Sequence, residues 1–300
     1  MACTIAAPAT APEAPQLWPA TLVAFDVEMD RLFASDEIPG TVDIGVRVVS
    51  IAILNSIPGQ QRIQVQSWHP PLPSNLAATA ATATTATTLA PATVCSIIAT
   101  LWAYFQHGAR LVTWGGTATD WPVLARCAQH PTAAMQCAAM AQVAVDLPFT
   151  LLCQRGYMVG LEAASRGAGL RNGKPISSKA SASAWTADGA ESVVALCVSD
   201  AINTVTLLHM AQTHGMLQWV SGTSGRVVVW PVPRDSTSGA IFSVAQSLAL
   251  PLPHRRWDRA LTPLRACAWL FSPDTAPKAD AFAALARFGS APSSRVVAKS

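Results

Sequence analysis

The amino-acid sequence predicts an α/β domain over residues 20–215, followed by a C-terminal extension over residues 216–300. Apolar segments with β-branched and aromatic residues come first along the chain, and segments of helical length follow, with one more strand between them. Strands and helices in this order are typical of a sheet covered by helices. Hydrophobic residues make up 51% of the chain and charged residues 12%, which supplies a large core and excludes global disorder.

The first strands are predicted directly after an N-terminal segment. Residues 1–19 are rich in Ala and Pro, lack a signal-peptide pattern, and are expected to form a disordered leader. The segments LVAFDVEM, TVDIGVRVVSIAILNS and RIQVQSWHP then predict three neighbouring strands, the last of which alternates between apolar and polar residues. The Ala/Thr-rich stretch at 77–93 has a biased composition, so we expect a low-complexity loop or a loose helix there.

Four further parts of the domain are predicted to be helical, and a short strand, RLVTW, follows the first of them. They are residues 94–106, DWPVLARCA, the helix–turn–helix segment FTLLCQRGYMVGLEAASRGAGL, and ESVVALCVSDAINTVTLLHMAQTHG. Pro122 is tolerated in the first turn of the second helix, where Asp120 lies near the N-cap, and Gly215 closes the last one. The extension contains two turn-rich pieces, and it either packs on the domain or forms a small module.

Charge and cysteine content limit the function classes. The net charge of +3 permits a nucleic-acid partner without arguing for one. Seven cysteines form no CxxC pair and no zinc-like spacing with histidine, which favours thiols in a reducing cytoplasm over secretion. Pro91 and the many threonines before SIIATLWAYF interrupt the apolar region, so no membrane-spanning segment is expected there.

Four acidic residues, Asp26, Glu28, Asp120 and Asp200, lie in apolar chain, where an unpaired carboxylate is costly. Asp26 and Glu28 are two residues apart on a predicted strand, so their side chains project from the same face. Asp200 falls on the apolar stripe of the last helix; a neutral or arginine-paired structural role is the alternative for it. Asp120 has the alternative of a helix N-cap. As a set, the carboxylates offer the hard oxygen ligands that suit Mg²⁺ or Mn²⁺.

The motifs around these residues resemble those of DEDD-type 3′–5′ exonucleases of the ribonuclease H-like superfamily, within it the bacterial predicted exonucleases related to the family B DNA polymerase proofreading domain. FDVE matches the first motif, TWGGTATDWPVL the second, and DAINT the third. GLEAASRGAGLRNGK, Trp185 and LPLPHRRW are similar to further segments, so the likeness spans residues 21–260.

The resemblance implies a ribonuclease H-like mixed sheet flanked by helices, with the four carboxylates as catalytic residues and metal ligands. Two Mg²⁺ or Mn²⁺ ions, about 4 Å apart, would then serve phosphodiester hydrolysis. Supporting substrate contacts are implied for Thr204, Lys174 and Gly116.

Three departures from the family pattern are visible. Members carry a Tyr four residues or a His five residues before the last Asp, and this chain has Leu196 and Ala195 there. His209 lies about half a turn out of phase with Asp200 and is expected to face away. An Asn-Gly pair is replaced by Gly115-Gly116, and a Phe by Thr119. Because a positioned base is worth about 10² to 10⁴ in rate, activity is expected to be impaired.

The leading hypothesis is a metal-dependent 3′–5′ exonuclease acting on single-stranded DNA or RNA 3′ ends in the cytoplasm, with no membrane partner and no predictable protein partner. A catalytically inactive nucleic-acid-binding module is the first alternative, motivated by Leu196 and Ala195. A structural or partner-binding protein is the second, motivated by the charge-poor sequence and the extension.

Overall fold

The computed structural model describes residues 3–6, 21–34, 37, 42–57, 60–73, 87–170, 176–177, 179–186, 188–251, 253 and 262–271. The strands are β1 (Cys3–Ala6), β2 (Thr21–Met29), β3 (Val46–Ile57), β4 (Gln60–Trp68), β5 (Arg110–Thr113), β6 (Val145–Asp146), β7 (Met216–Val220) and β8 (Val227–Pro231). The helices are α1 (Pro91–Gln106), α2 (Asp120–Cys127), α3 (Pro131–Val143), α4 (Leu147–Arg155), α5 (Leu161–Gly167), α6 (Ala190–His214), α7 (Val244–Ser247) and α8 (Pro263–Cys267). A 3₁₀ helix, Ala268–Phe271, follows α8.

The main sheet has the strand order β1-β4-β3-β2-β5-β6, and β7 pairs with β8 in a separate hairpin. The pairs β1–β4, β4–β3 and β3–β2 are antiparallel, whereas β2–β5 and β5–β6 are parallel. Helices cover both faces of this mixed sheet. The predicted α/β class is confirmed, and the arrangement is compatible with a ribonuclease H-like fold.

Strand β2 divides the core into two layers because its side chains alternate between the faces of the sheet. Val23, Phe25 and Val27 belong to the apolar cluster that α1, α2 and α3 cover. Leu22 and Ala24 belong to the cluster on the opposite face, under α6 and the β7–β8 hairpin. The next two side chains on this face of β2 are those of Asp26 and Glu28, which therefore lie on the α6 side of the sheet.

Helix α6 is the long core helix of that second layer. It packs across β2 and β3 and ends at Gly215, whose φ of 74° is left-handed and suits glycine, as predicted. Its length and hydropathy would suffice to cross a membrane, but 56% of its most apolar window is buried inside the protein. The predicted apolar stripe is confirmed, since Val193, Leu196 and Leu207 are all buried.

Two predictions for the first half of the chain are corrected. The leader is not disordered at Cys3–Ala6, which pairs with β4 and thereby covers backbone groups that would otherwise form an open sheet edge. The remaining leader residues lie outside the described part of the chain. Of the Ala/Thr-rich stretch at 77–93, predicted as a loop or a loose helix, residues 77–86 lie outside the described part of the chain. The helix predicted over 94–106 already begins at Pro91, a residue favoured at the first helical position.

The described part of the extension packs on the domain. Val244 donates from its backbone N–H to Ala144 at 2.9 Å, and the hydroxyls of Ser247 and Thr150 lie 2.8 Å apart. The Trp269 indole N–H donates to the Thr117 carbonyl at 2.8 Å, behind the loop that joins β5 to α2. These contacts favour the first of the two alternatives for this segment.

Candidate metal centre

Three of the predicted carboxylates converge on the α6 face of the sheet. Asp26, Glu28 and Asp200 each offer an oxygen atom, and these atoms lie within 4.8 Å of one another. Glu28 and Asp200 are 8% and 6% exposed, and Asp26 is half-buried. The strand spacing places the first two side chains together, and the packing of α6 across β2 supplies the third.

A thiol fixes the helix against the strand at this point. Cys197 lies one turn before Asp200 and donates from Sγ to the main-chain carbonyl of Asp26 at 3.3 Å. Burial is the main cause that raises the pKa of this thiol well above its ordinary value, so it stays protonated and able to donate.

The fourth carboxylate, Asp120, reaches the same region from the end of β5. Strand β5 runs parallel to β2, so the loop after Thr113 arrives beside Asp26, and Asp120 opens α2. Its side chain is 7% exposed and accepts a hydrogen bond from the Thr119 hydroxyl at 3.0 Å. Thr119 holds the N-cap position, so the alternative that Asp120 is the N-cap residue is wrong.

The absence of a side chain at Gly116 leaves room for the Asp120 carboxylate. A Cβ atom at this position would lie 2.9 Å from Asp120 Oδ2 and 2.6 Å from the Cβ of Thr113. Gly116 does not itself line the cleft described below, so the structure gives it a packing role beside the site instead of the implied substrate contact.

A buried carboxylate that the sequence reasoning missed, Asp146, organises the loop before Asp120. It is 0% exposed and accepts hydrogen bonds from the backbone N–H groups of Gly115 (2.9 Å) and Thr117 (2.9 Å). It also caps α4 through the Phe149 N–H at 3.1 Å. The sequence signal was present, because Asp followed by Leu-Pro-Phe is a typical helix start.

Burial and neighbouring carboxylates raise the pKa of two of the predicted ligands, Asp26 and Asp120, in the absence of a cation. Burial, followed by the negative charges of Glu28, Asp120 and Asp200, raises the pKa of Asp26 well above its ordinary value. Burial likewise raises the pKa of Asp120 to about 7; the Thr119 hydrogen bond lowers it, and nearby carboxylates raise it further. Such a group favours either protonation or a bound cation over isolated negative charge.

The carboxylates lie in an open cleft with a volume of about 550 Å³. Two basic side chains of the described residues line it, Arg31 and Lys179. Arg31 is engaged by Glu37, with two contacts of 2.7 and 2.9 Å, whereas Lys179 is exposed. Arg47 holds the segment after Lys179 by donating to the Ala182 carbonyl, and its guanidinium lies 6.0 Å from the Trp185 ring.

The other residues predicted for the site do not line the cleft or lie outside the described residues. Leu196 is buried and Ala195 exposed, and neither lines the cleft. His209 faces away as predicted, with Nε2 2.6 Å from the amide nitrogen of Gln61 on β4. Thr204 is 1% exposed and does not line the cleft, so it packs in the core. Lys174 lies outside the described residues.

Comparison with protein-family models, curated proteins and solved structures gives no match for this chain. What points to a function is therefore the donor set of the site, together with the sequence motifs around it. Carboxylate oxygens drawn from one strand and one helix, with Asp120 of a second helix in the same cleft, suit a hard divalent cation. The described thiols, Cys197 among them, are not part of the convergent group.

Proposed function

We propose that this protein is a Mg²⁺- or Mn²⁺-dependent 3′–5′ exonuclease that hydrolyses phosphodiester bonds at single-stranded DNA or RNA 3′ ends. The observation that carries the proposal is the convergence of Asp26, Glu28 and Asp200 within 4.8 Å in an open cleft that Asp120 also lines. The resemblance of the surrounding motifs supports the nature of the substrate. Free thiols and the burial of α6 in the core support a cytoplasmic location.

The chain's own residues would hold the cations and orient the phosphate. Asp26 and Glu28 present their oxygens from a strand in the middle of the sheet, which keeps both rigid. Asp200 and Asp120 close the site from two helices. A bound pair of Mg²⁺ or Mn²⁺ ions would supply the acidified water and the stabilisation of the leaving 3′ oxygen.

Hydrolysis is proposed to be slow because no Tyr or His stands where the family carries its base. Leu196 is fully buried and can neither accept nor donate a proton. The expected loss is about 10² to 10⁴ in rate relative to an enzyme with a positioned base.

The proposal is tested by incubating a 5′-labelled single-stranded oligonucleotide with Mn²⁺ and either the parent protein or Asp26→Asn. A ladder that shortens from the 3′ end with the parent, and is absent with Asp26→Asn, is the expected result. Asp188→Asn, an exposed Asp outside the cleft, is the matched control and should behave as the parent. Equal degradation by the parent and Asp26→Asn would reject the metal site as its source.

A catalytically inactive nucleic-acid-binding module is the second candidate, favoured by the buried Leu196. In that case the parent binds single-stranded oligonucleotide without shortening it. A parent that is active, and loses its activity with Asp200→Asn, would reject this candidate.

A further inference from the structure

The loop between β5 and α2 presents an indole to the cleft. Between Leu111 and Asp120 all residues are buried except Trp114 and Thr119, which are partly exposed and both line the cleft. Trp114 is the one aromatic side chain among the described residues that line it. Trp114 is partly exposed, so part of its indole ring is accessible from the cleft that the carboxylates also line.

The indole is held in a fixed orientation that leaves its hydrogen-bonding group occupied. Its Nε1–H donates to the Val159 carbonyl at 3.0 Å, two residues before the start of α5. Part of the ring packs against the apolar cluster under α6. With the N–H committed to the protein, what remains for a ligand is the apolar ring, which recognises flat groups by stacking.

The surroundings of the ring leave space for a flat ligand. Gly160 and Leu161 line the cleft directly after Val159, and a Cβ atom added at Gly160 would meet nothing within 4 Å. Leu32, 53% exposed, lines the cleft as well. The cleft therefore combines an acidic part, formed by the four carboxylates, with an apolar part that contains Trp114.

We propose that Trp114 is a stacking platform for the base of the 3′-terminal nucleotide, which lies on the indole while its phosphodiester faces the carboxylates. The inference rests on the proposed function and specifies how that site holds its substrate. Stacking accepts every base, because each has a π-face, so the platform gives affinity for a base without selecting which one. It also supplies an aromatic contact on a chain whose second motif has Thr119 in place of Phe.

The test compares two oligonucleotides that differ only at the 3′ end, one with a normal terminal base and one with an abasic terminal residue. Their dissociation constants are measured by fluorescence anisotropy in Ca²⁺ with the parent, Trp114→Leu and Trp114→Phe. The parent should prefer the base-containing end by roughly 5- to 100-fold. Trp114→Leu should lose this preference, and Trp114→Phe, which keeps a ring but not the Val159 hydrogen bond, should keep most of it.

A control variant distinguishes the loss of base stacking from a general effect of removing a tryptophan. Trp102 is half-buried on α1 and does not line the cleft, so Trp102→Leu should keep the preference of the parent. Far-ultraviolet circular dichroism and thermal melting establish that each variant is folded. An equal loss of preference in Trp114→Leu and Trp114→Phe would overturn the platform and leave Trp114 a packing residue.

The outcomes also separate this inference from the proposed hydrolysis. A parent that shortens both oligonucleotides and binds them equally retains the exonuclease proposal and overturns the platform. A parent that binds with a base preference dependent on Trp114, but hydrolyses neither end, supports the platform and overturns the enzyme. Absence of binding to either oligonucleotide overturns both.

Discussion

The thiol of Cys197 lies 3.3 Å from the main-chain carbonyl oxygen of Asp26, and this contact joins the helix that carries Asp200 to the strand that carries Asp26 and Glu28. The three carboxylates belong to two segments far apart in sequence, so their convergence depends on how α6 packs on β2. A hydrogen bond one turn from Asp200 constrains that seating directly.

Replacement of this thiol should therefore weaken metal binding as well as stability. Cys197→Ala removes a fully buried side chain and its hydrogen bond, and should lower the free energy of unfolding by about 1–2 kcal/mol. Mn²⁺ affinity, measured by calorimetry, should fall too. Cys137→Ala is the matched control, because Cys137 is a buried thiol on α3 away from the cleft. Its variant should lose stability but bind Mn²⁺ like the parent; equal effects of both variants would contradict the positioning role.

Asp146 should be a larger determinant of stability than any of the four predicted ligands. Asp146→Ala leaves the buried N–H groups of Gly115, Thr117 and Phe149 without their acceptor, and each such group costs about 1–3 kcal/mol. Urea unfolding should report a loss of several kcal/mol. Asp146→Asn keeps one acceptor oxygen and should lie between this variant and the parent. An Asp146→Asn protein with parental stability and parental Mn²⁺ affinity would refute this role.

Stability of the metal-free protein should fall as pH rises from about 5 to 8. Burial raises the pKa of Asp120 to about 7 and that of Asp26 well above its ordinary value, so the folded state binds more protons than the unfolded state in this window. The stabilisation is present at low pH and is lost as pH passes through the raised pKa, by roughly 1–4 kcal/mol. Urea midpoints in EDTA at several pH values measure it.

The control for this pH dependence compares the parent with Asp120→Asn and with the parent in Mn²⁺. Asp120→Asn removes one titrating group and should flatten the profile, and Mn²⁺ at pH 8 should restore stability to the parent by replacing the lost protons. Profiles of the same slope for the metal-free parent and Asp120→Asn would mean that the pKa of Asp120 is not raised.

Lys179 should contribute to nucleic-acid binding, because it is an exposed ammonium group on the cleft. Lys179→Gln should weaken binding of single-stranded oligonucleotide by roughly three- to tenfold and reduce the salt dependence by about one phosphate contact. Arg166→Gln removes the same charge from an exposed position on α5 outside the cleft. Identical salt slopes for the two variants and the parent would exclude a phosphate contact at Lys179.

Sequence periodicity determined the parts of this protein that depend on neighbours along the chain. The two-residue spacing of Asp26 and Glu28 on a strand, and the burial of Asp200 on a helical stripe, follow from local geometry that any copy of these segments would adopt. The α/β class was predicted for the same reason, since strand and helix patterns are visible over ten to twenty residues. The mixed strand directions, in contrast, were implied by the motif resemblance and not by periodicity.

Tertiary structure alone decided how the site is completed. Asp146 supports the loop before Asp120 because β6 pairs with β5. The groups that Asp146 accepts from lie 29 and 31 positions away along the chain, so local sequence patterns do not predict the contact. Lys179 lies on the cleft, in a segment that Arg47 holds through the Ala182 carbonyl from 135 residues away. Trp114 faces the cleft because the Val159 carbonyl accepts its N–H from 45 residues along the chain. These features depend on long-range packing, whose partners are set by the whole fold and not by the residues beside them.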